Sequence, residues 1–193
     1  KFSTALSKAN FIIGHNVSFD INVIGSEYFR NDNSFVFPEI FIIDTMKTTV
    51  EFCKIRIGEE GVIQSVSPAG SFKDFYKFKV VLENNRSGLL YRKSESMPNL
   101  STGDIVSYEI NNKGTIKVRK GFKSPKLEEL YEIIFGEKII NAHNASADVD
   151  ATARCFFELL RQKFFTEKNS DLTNNDVLDF ISKNPSQIQL LNI

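Results

Sequence analysis

"FIIGHNVSFDINVIGSEYFR", residues 11–30, decides how the chain is read. Phe11, Ile12 and Ile13 form a short apolar run that stops at Gly14, and the spacing then changes. Phe19, Val23, Ile24 and Tyr28 recur at helical steps. The stretch predicts a buried strand, a glycine turn and an amphipathic helix. Toward the C-terminus, "FVFPEIFIIDT" (35–45) reads as a second apolar strand, with Asp44 as the N-cap of a helix over "TMKTTVEFC". Toward the N-terminus, "KFSTALSKAN" (1–10) reads as the end of a helix, with Phe2, Leu6 and Ala9 on one side. Helix–strand–helix–strand–helix is the order of an α/β layer fold.

Beyond residue 54 the periodicity changes. "GVIQSVS", "YKFKVVLE", "GLLYRK", "DIVSYEI" and "GTIKVR" alternate with period two, separated by short turns such as "NNKG" (111–114). Five short strands in this span predict a small β-barrel. Helical spacing returns in "KSPKLEELYEIIFGE", with Ser124 as expected N-cap, Pro125 in the first turn and Gly136 as the stop. A long helix follows over "ASADVDATARCFFELLRQKFF", with Ala147, Ala151, Phe156 and Leu159 or Leu160 inward. The tail "NNDVLDFISKNPSQIQLLNI" holds one more short helix. The expected organisation is an α/β domain, 1–54 with 120–193, interrupted by a β module over 55–119.

Charge follows the same division. The 193 residues carry 24 basic and 24 acidic side chains, so total charge makes no argument for nucleic acid. Between Lys54 and Lys120 there are 12 Lys and Arg against 7 Asp and Glu, which leaves 12 against 17 elsewhere. A basic middle lies within an acidic remainder, and carboxylates are what a divalent cation requires. No apolar run approaches the ~18 residues of a membrane span. Cys53 and Cys155 stand far apart, outside any Cys-x-x-Cys pair, and read as reduced thiols of a cytosolic protein with no disulfide or zinc role.

The chain has only two histidines, and both stand in His-Asn-x-x-x-Asp: His15 to Asp20 and His143 to Asp148. "IIGHNVSFD" resembles the second motif of the DnaQ-like 3′–5′ exonucleases, the DEDDh group of the ribonuclease H-like superfamily. "AHNASADVDAT" is similar to the third motif of that group, His-x4-Asp at the start of a helix. "IIDTMKTT" and "SPKLEELYEIIFGE" resemble the segments between them. The likeness covers about two-thirds of the chain, all outside the β module. It implies a ribonuclease H-like fold and removal of nucleotides from DNA 3′ ends by two divalent ions, Mg²⁺ or Mn²⁺, that clamp the attacking and leaving oxygens. By the same likeness Asp20 and Asp148 are metal ligands and His143 is the general base, an imidazole titrating near neutrality. His15, Asn16, Phe19 and Asn144 fall where substrate contacts are expected, although for His15 a structural role in its turn is the preferred reading. Asp44 reads as a cap in preference to a ligand, and Asp150 has the wrong spacing from His143. The implied partners are single-stranded DNA 3′ ends and a DNA polymerase, in the cytoplasm and away from membranes.

The group's first motif, Asp-x-Glu on the first strand, is absent from these 193 residues. The chain, which begins at Lys1, is therefore expected to be an N-terminally truncated fragment that is inactive alone. The alternative is a catalytically inactive protein that binds single-stranded nucleic acid. The module of about 65 residues resembles an OB-fold. In it Phe72, Phe75 and Tyr76, with Lys77 and Lys79, suggest contacts to a single strand, or else the filling of a small barrel, the reading preferred for Phe78.

Overall fold

A parallel pair of strands, a five-stranded antiparallel sheet and six helices make up the described part of the molecule. The structure, a computed structural model, describes residues 4, 6–31, 40–168, 170 and 172–183. Phe2, residues 35–39 of the second expected strand and the tail after Lys183 lie outside the described residues. The chain divides into two compact units, Lys1–Cys53 with Ser124–Ile193, and Lys54–Lys123. No helix among the described residues is long and apolar enough to cross a membrane.

In the first unit, β1 (Phe11–Gly14) and β2 (Phe41–Asp44) pair in parallel, with Phe11 opposite Phe41 and Gly14 opposite Asp44. Between them runs α1 (Val17–Asn31). Its buried stripe matches the expected one in part: Ile24 and Tyr28 are half-buried, but Phe19 and Val23 are exposed, and the buried Val17 and half-buried Ile21 take their places. Both stripes are apolar, so spacing alone cannot choose between them. The close approach of Val17 to Gly14, where an added Cβ would lie 3.0 Å from the valine Cβ, turns the Val17 stripe inward.

Asp44 caps the next helix, its Oδ1 accepting the Met46 N–H at 3.1 Å. That helix breaks into α2 (Thr45–Thr48) and α3 (Val50–Cys53) at Thr49. The hydroxyls of Thr48 and Thr49 donate back to the carbonyls of Asp44 and Thr45, and such bonds compete with the helical ladder. α4 (Leu127–Phe135) begins later than expected, with Lys126 and not Ser124 at the N-cap. The Pro125 carbonyl is taken up by His15, and Glu129 accepts the Lys126 N–H at 2.7 Å. Gly136 ends α4 in the left-handed region, as expected.

α5 (Ala145–Arg161) is the hub of the unit. Ala151 and Cys155 pack with Leu130 and Tyr131 of α4. Phe156, Leu159 and Leu160 pack with Ile43, Phe165, Leu172 and Val177, the last from α6 (Asn174–Lys183). Ala147 is half-buried. Neither Cys53 nor Cys155 is in a disulfide, and burial pushes the Cys155 thiol up to about 12.

The second unit contains β3 (Glu59–Phe72), β4 (Phe75–Leu82), β5 (Ser87–Arg92), β6 (Ile105–Ile110) and β7 (Ile116–Arg119), in the order β5-β4-β3-β6-β7. The long β3 serves both halves, pairing with β6 through Glu59–Val62 and with β4 beyond that. The two outer strands then meet: Leu89 bridges Thr115 in parallel, and the Leu89 N–H donates to the Gly114 carbonyl at 3.0 Å. Gly88 makes this contact possible, since an added Cβ would lie 2.6 Å from the Ile116 Cβ. Ile63, Val80, Leu82, Val106, Tyr108 and Ile116 fill the interior. The ends of the unit are tied, the Lys123 N–H donating to the Ile55 carbonyl and Arg56 stacking on Phe122.

Candidate functional site

The turn after β1 is held from three directions. Asn16 takes a left-handed φ of 68°, which asparagine tolerates better than most residues, and its N–H donates to Asp44 Oδ1 at 3.0 Å. Asp44 Oδ1 thus caps α2 and fixes the turn at once. Its buried Oδ2 has no hydrogen-bond donor, only Lys47 Nζ at 3.6 Å. His15 Nε2 lies 3.0 Å from the Pro125 carbonyl and Nδ1 lies 3.1 Å from Thr45 Oγ1. A carbonyl only accepts, so Nε2 carries the proton. The Thr45 hydroxyl has one proton to give, either to Nδ1 or to the Gly14 carbonyl 3.0 Å away. Burial holds the His15 imidazole below its ordinary value, against the Pro125 bond and the carboxylates of Asp44, Glu128 and Glu129.

The second His-Asn pair is built differently. Asn144 is the N-cap of α5, its Oδ1 accepting the Ser146 N–H at 3.0 Å. His143 has a φ of 70°, and its N–H donates to Asp148 Oδ1 at 3.2 Å. Asp148, in the first turn of α5, therefore anchors the loop that carries His143. The His143 side chain is 86% exposed, with Nε2 3.7 Å from Glu128 Oε1.

One cavity of about 580 Å³ gathers five of the residues singled out in the sequence: His15, Asn16, Phe19, Asp20 and Asp148. Asp20 projects from the first turn of α1 and Asp148 from the first turn of α5. Helix N-termini favour negative charge, so both positions suit an acidic side chain. Neither His143 nor Asn144 lines this cavity; they stand beside it in sequence, tied to α5. The oxygen donors of Asp20 and Asp148 suit a hard cation such as Mg²⁺ or Mn²⁺, which keeps several waters and takes few protein ligands. Asp148 Oδ1 is engaged with the His143 N–H, which leaves Oδ2 for that purpose. Among the described residues, no three His, Cys, Asp or Glu side chains converge to hold a metal ion.

In the second unit, strand parity sorts the aromatic and basic cluster. Phe78, Val80 and Leu82 are buried and face inward; Tyr76 shares their parity and is half-buried. Phe75, Lys77 and Lys79 take the opposite, outward parity. Phe72 stands directly opposite Phe75, and Tyr91 directly opposite Lys77. Tyr91 was not anticipated, because its partner register is invisible until β4 and β5 are paired.

Thr45 and Pro125 are the other residues the sequence did not reveal, since they act by bonding His15 across 30 and 110 residues. The one local signal is Asp44-Thr45 at the end of an apolar strand. Compared with known proteins, the chain matches no family model, no curated protein and no solved structure.

Proposed function

We propose that the first unit is the greater part of a DnaQ-like, metal-dependent 3′–5′ exonuclease with a ribonuclease H-like fold, acting on DNA 3′ ends. The carrying observation is the shared cavity of Asp20 and Asp148, two carboxylates 128 positions apart whose motifs resemble those of this group. Two divalent ions would supply activation of water and charge neutralisation at the scissile phosphate. Asp20 and Asp148 Oδ2 would hold them. Asn16 and the exposed Phe19 line the same cavity and would bear on the terminal nucleotide. His143, exposed on its loop, would accept the proton of the attacking water once its ring swings from Glu128 toward the cavity, since catalytic contacts are often loose before substrate binds. His15, with both nitrogens engaged inside the protein, would hold the turn and leave substrate contact to its neighbours.

The reading requires a further strand with Asp-x-Glu, supplied from outside these 193 residues. Among the described residues β1 pairs only with β2. The five-stranded order with its β5–β7 contact supports an OB-like reading of the second unit.

The test uses the protein as encoded with any in-frame upstream segment and a 5′-labelled single-stranded oligonucleotide with Mg²⁺ or Mn²⁺. Stepwise shortening from the 3′ end is expected, with loss of at least a hundredfold on Asp148→Ala or Asp20→Ala, a scale typical of removing transition-state charge stabilisation. Calorimetry should show weakened Mn²⁺ binding in both variants. Cleavage and metal binding that survive both substitutions would overturn the assignment.

A further inference from the structure

We propose that the outward face of β3–β4–β5 is a binding site for single-stranded nucleic acid, in which Phe75 and Tyr91 stack bases while Lys77 and Lys79 take the backbone. The inference stands independently of the exonuclease reading, because it concerns only the second unit. Phe72 is 58% exposed, and Phe75 and Tyr91 are each 38% exposed. A small barrel gains by burying aromatics, yet these three stand outside a core already filled by Ile63, Val80, Leu82, Val106, Tyr108 and Ile116. Register places Phe72 opposite Phe75, Tyr91 opposite Lys77, and Ser67 and Leu89 on either side of Lys79. Phe75 and Tyr91 are then diagonal neighbours, about 7–8 Å apart at Cβ.

The cations of this face are uncommitted. Lys77 and Lys79 make no ion pair or hydrogen bond among the described residues, and Lys73 only overhangs the Phe72 ring at 5.6 Å. Elsewhere in the unit Arg86 pairs with Glu59, Lys120 with Asp104, and Arg56 with Glu60 and Phe122; Lys113 and Lys117, away from these exposed rings, are as uncommitted as Lys77 and Lys79 and so serve as the charge control. No carboxylate shares the outward parity of β4 or β5; Asp74 lies in the turn between β3 and β4. Exposed rings alternating with unpaired lysines on a twisted sheet match a polyanion whose flat groups are free to stack. A duplex keeps its bases inside, and an acidic peptide has no flat group to place on the rings. Single-stranded polynucleotide is therefore the favoured occupant.

The experiment measures anisotropy of fluorescein-labelled dT12 with the whole chain in EDTA, where metal-dependent cleavage is silent. Binding should weaken with salt at a log–log slope of about −2 for two to three phosphate contacts. Phe75→Ala and Tyr91→Ala should each weaken it roughly fivefold or more, the scale of one lost base–aromatic stack. Lys77→Glu with Lys79→Glu alters exposed charge without touching the core and should abolish the signal. Lys113→Glu with Lys117→Glu, the same charge change on and beside the β6–β7 turn, should cost less than twofold. Equal loss from both lysine pairs, aromatic variants that bind like the parent with unchanged melting curves, or tighter binding of a dT12·dA12 duplex would each overturn the proposal. If binding persists in EDTA while the exonuclease assay fails, only the proposed catalytic function is refuted.

Discussion

The two units solve the same problem, covering the edges of a sheet, with different success. In the β unit β3 bridges the halves, and the two edge strands of the order are brought together at one bridge, Leu89 with Thr115. Its interior residues are almost completely buried, Ile63, Val80, Leu82 and Val106 at 0% exposure. The α/β unit has one pair of strands among the described residues and leaves Phe19, Phe29, Phe41 and Val149 more than half exposed. A closed sheet needs nothing further to satisfy its backbone, whereas an open one depends on whatever lies along its edges. The inserted unit therefore has the features of an autonomous fold. The unit that carries the paired aspartates does not complete its own sheet among these residues.

The sharpest way to break this contrast is to prevent the closure. Gly88→Ala places a Cβ against Ile116 and near the Gly114 carbonyl, a contact that backbone must move to relieve. Overpacking of this kind costs about 1–3 kcal/mol. The β unit should melt lower, by circular dichroism, and amide protection at Leu89 should fall. Gly121→Ala, where nothing lies within 4 Å of the new methyl, serves as the control and should leave the melt unchanged. If Gly88→Ala is as silent as Gly121→Ala, then closure contributes nothing and the autonomy argued from it is lost.

The α/β unit offers a pH-dependent counterpart. Its sheet end is fastened by His15, which donates from Nε2 to the Pro125 carbonyl and whose neutral form burial favours. Burial lowers the folded-state value below the ordinary 6.5. The stabilisation is therefore complete above about pH 6.5 and is lost as pH falls below it toward the folded value, because the unfolded chain takes up the proton first. Thermal melts from pH 8 to pH 5 should show the α/β transition falling in that window. His15→Gln, which cannot titrate, should flatten the dependence while lowering stability at pH 8. A profile that His15→Gln leaves unaltered would assign the effect to other groups.

The difference between the units also explains what the sequence revealed. The five β strands were legible because period-two alternation and the Asn111–Gly114 turn are local signals. A small barrel was expected from them, but not that Leu89 and Thr115 would be the residues that join its outer strands, since no local signal marks that contact. Nor were the two register shifts, between Ile63 and Ser65 and between Pro68 and Ser71, legible in the 14-residue β3. In the α/β unit, the start of α4 was misplaced because the Pro125 carbonyl bonds His15, 110 residues away. Half of the α1 stripe was legible, in Ile24 and Tyr28; the other half was misjudged because Val17 and Ile21 compete with Phe19 and Val23 in apolarity. Within the site, the His-Asn-x-x-x-Asp repeats pointed to Asp20 and Asp148, and one cavity holds both. The repeats conceal that the two histidines differ: His15 is locked between Thr45 and Pro125, and His143 extends into solvent.

The smallest effect tests whether the exposed apolar residues of the α/β unit are bare in solution. Phe29, on α1, is 74% exposed. An uncovered surface side chain changes stability by no more than about 0.5 kcal/mol when replaced. Phe29→Ser should therefore leave the melt of the 193-residue chain within that margin and improve its solubility, since it removes a large apolar group from water. The same substitution in the protein extended upstream is the informative arm. Added strands that cover this helix would raise the cost of Phe29→Ser to that of a buried phenylalanine, about 3–5 kcal/mol for truncation to a small residue. An unchanged small effect there would place any added strand along β1 alone, away from this end of α1. A large cost already present in the 193-residue chain would mean that the α/β unit covers its own apolar surface, and the contrast between the units would narrow to the sheet edges.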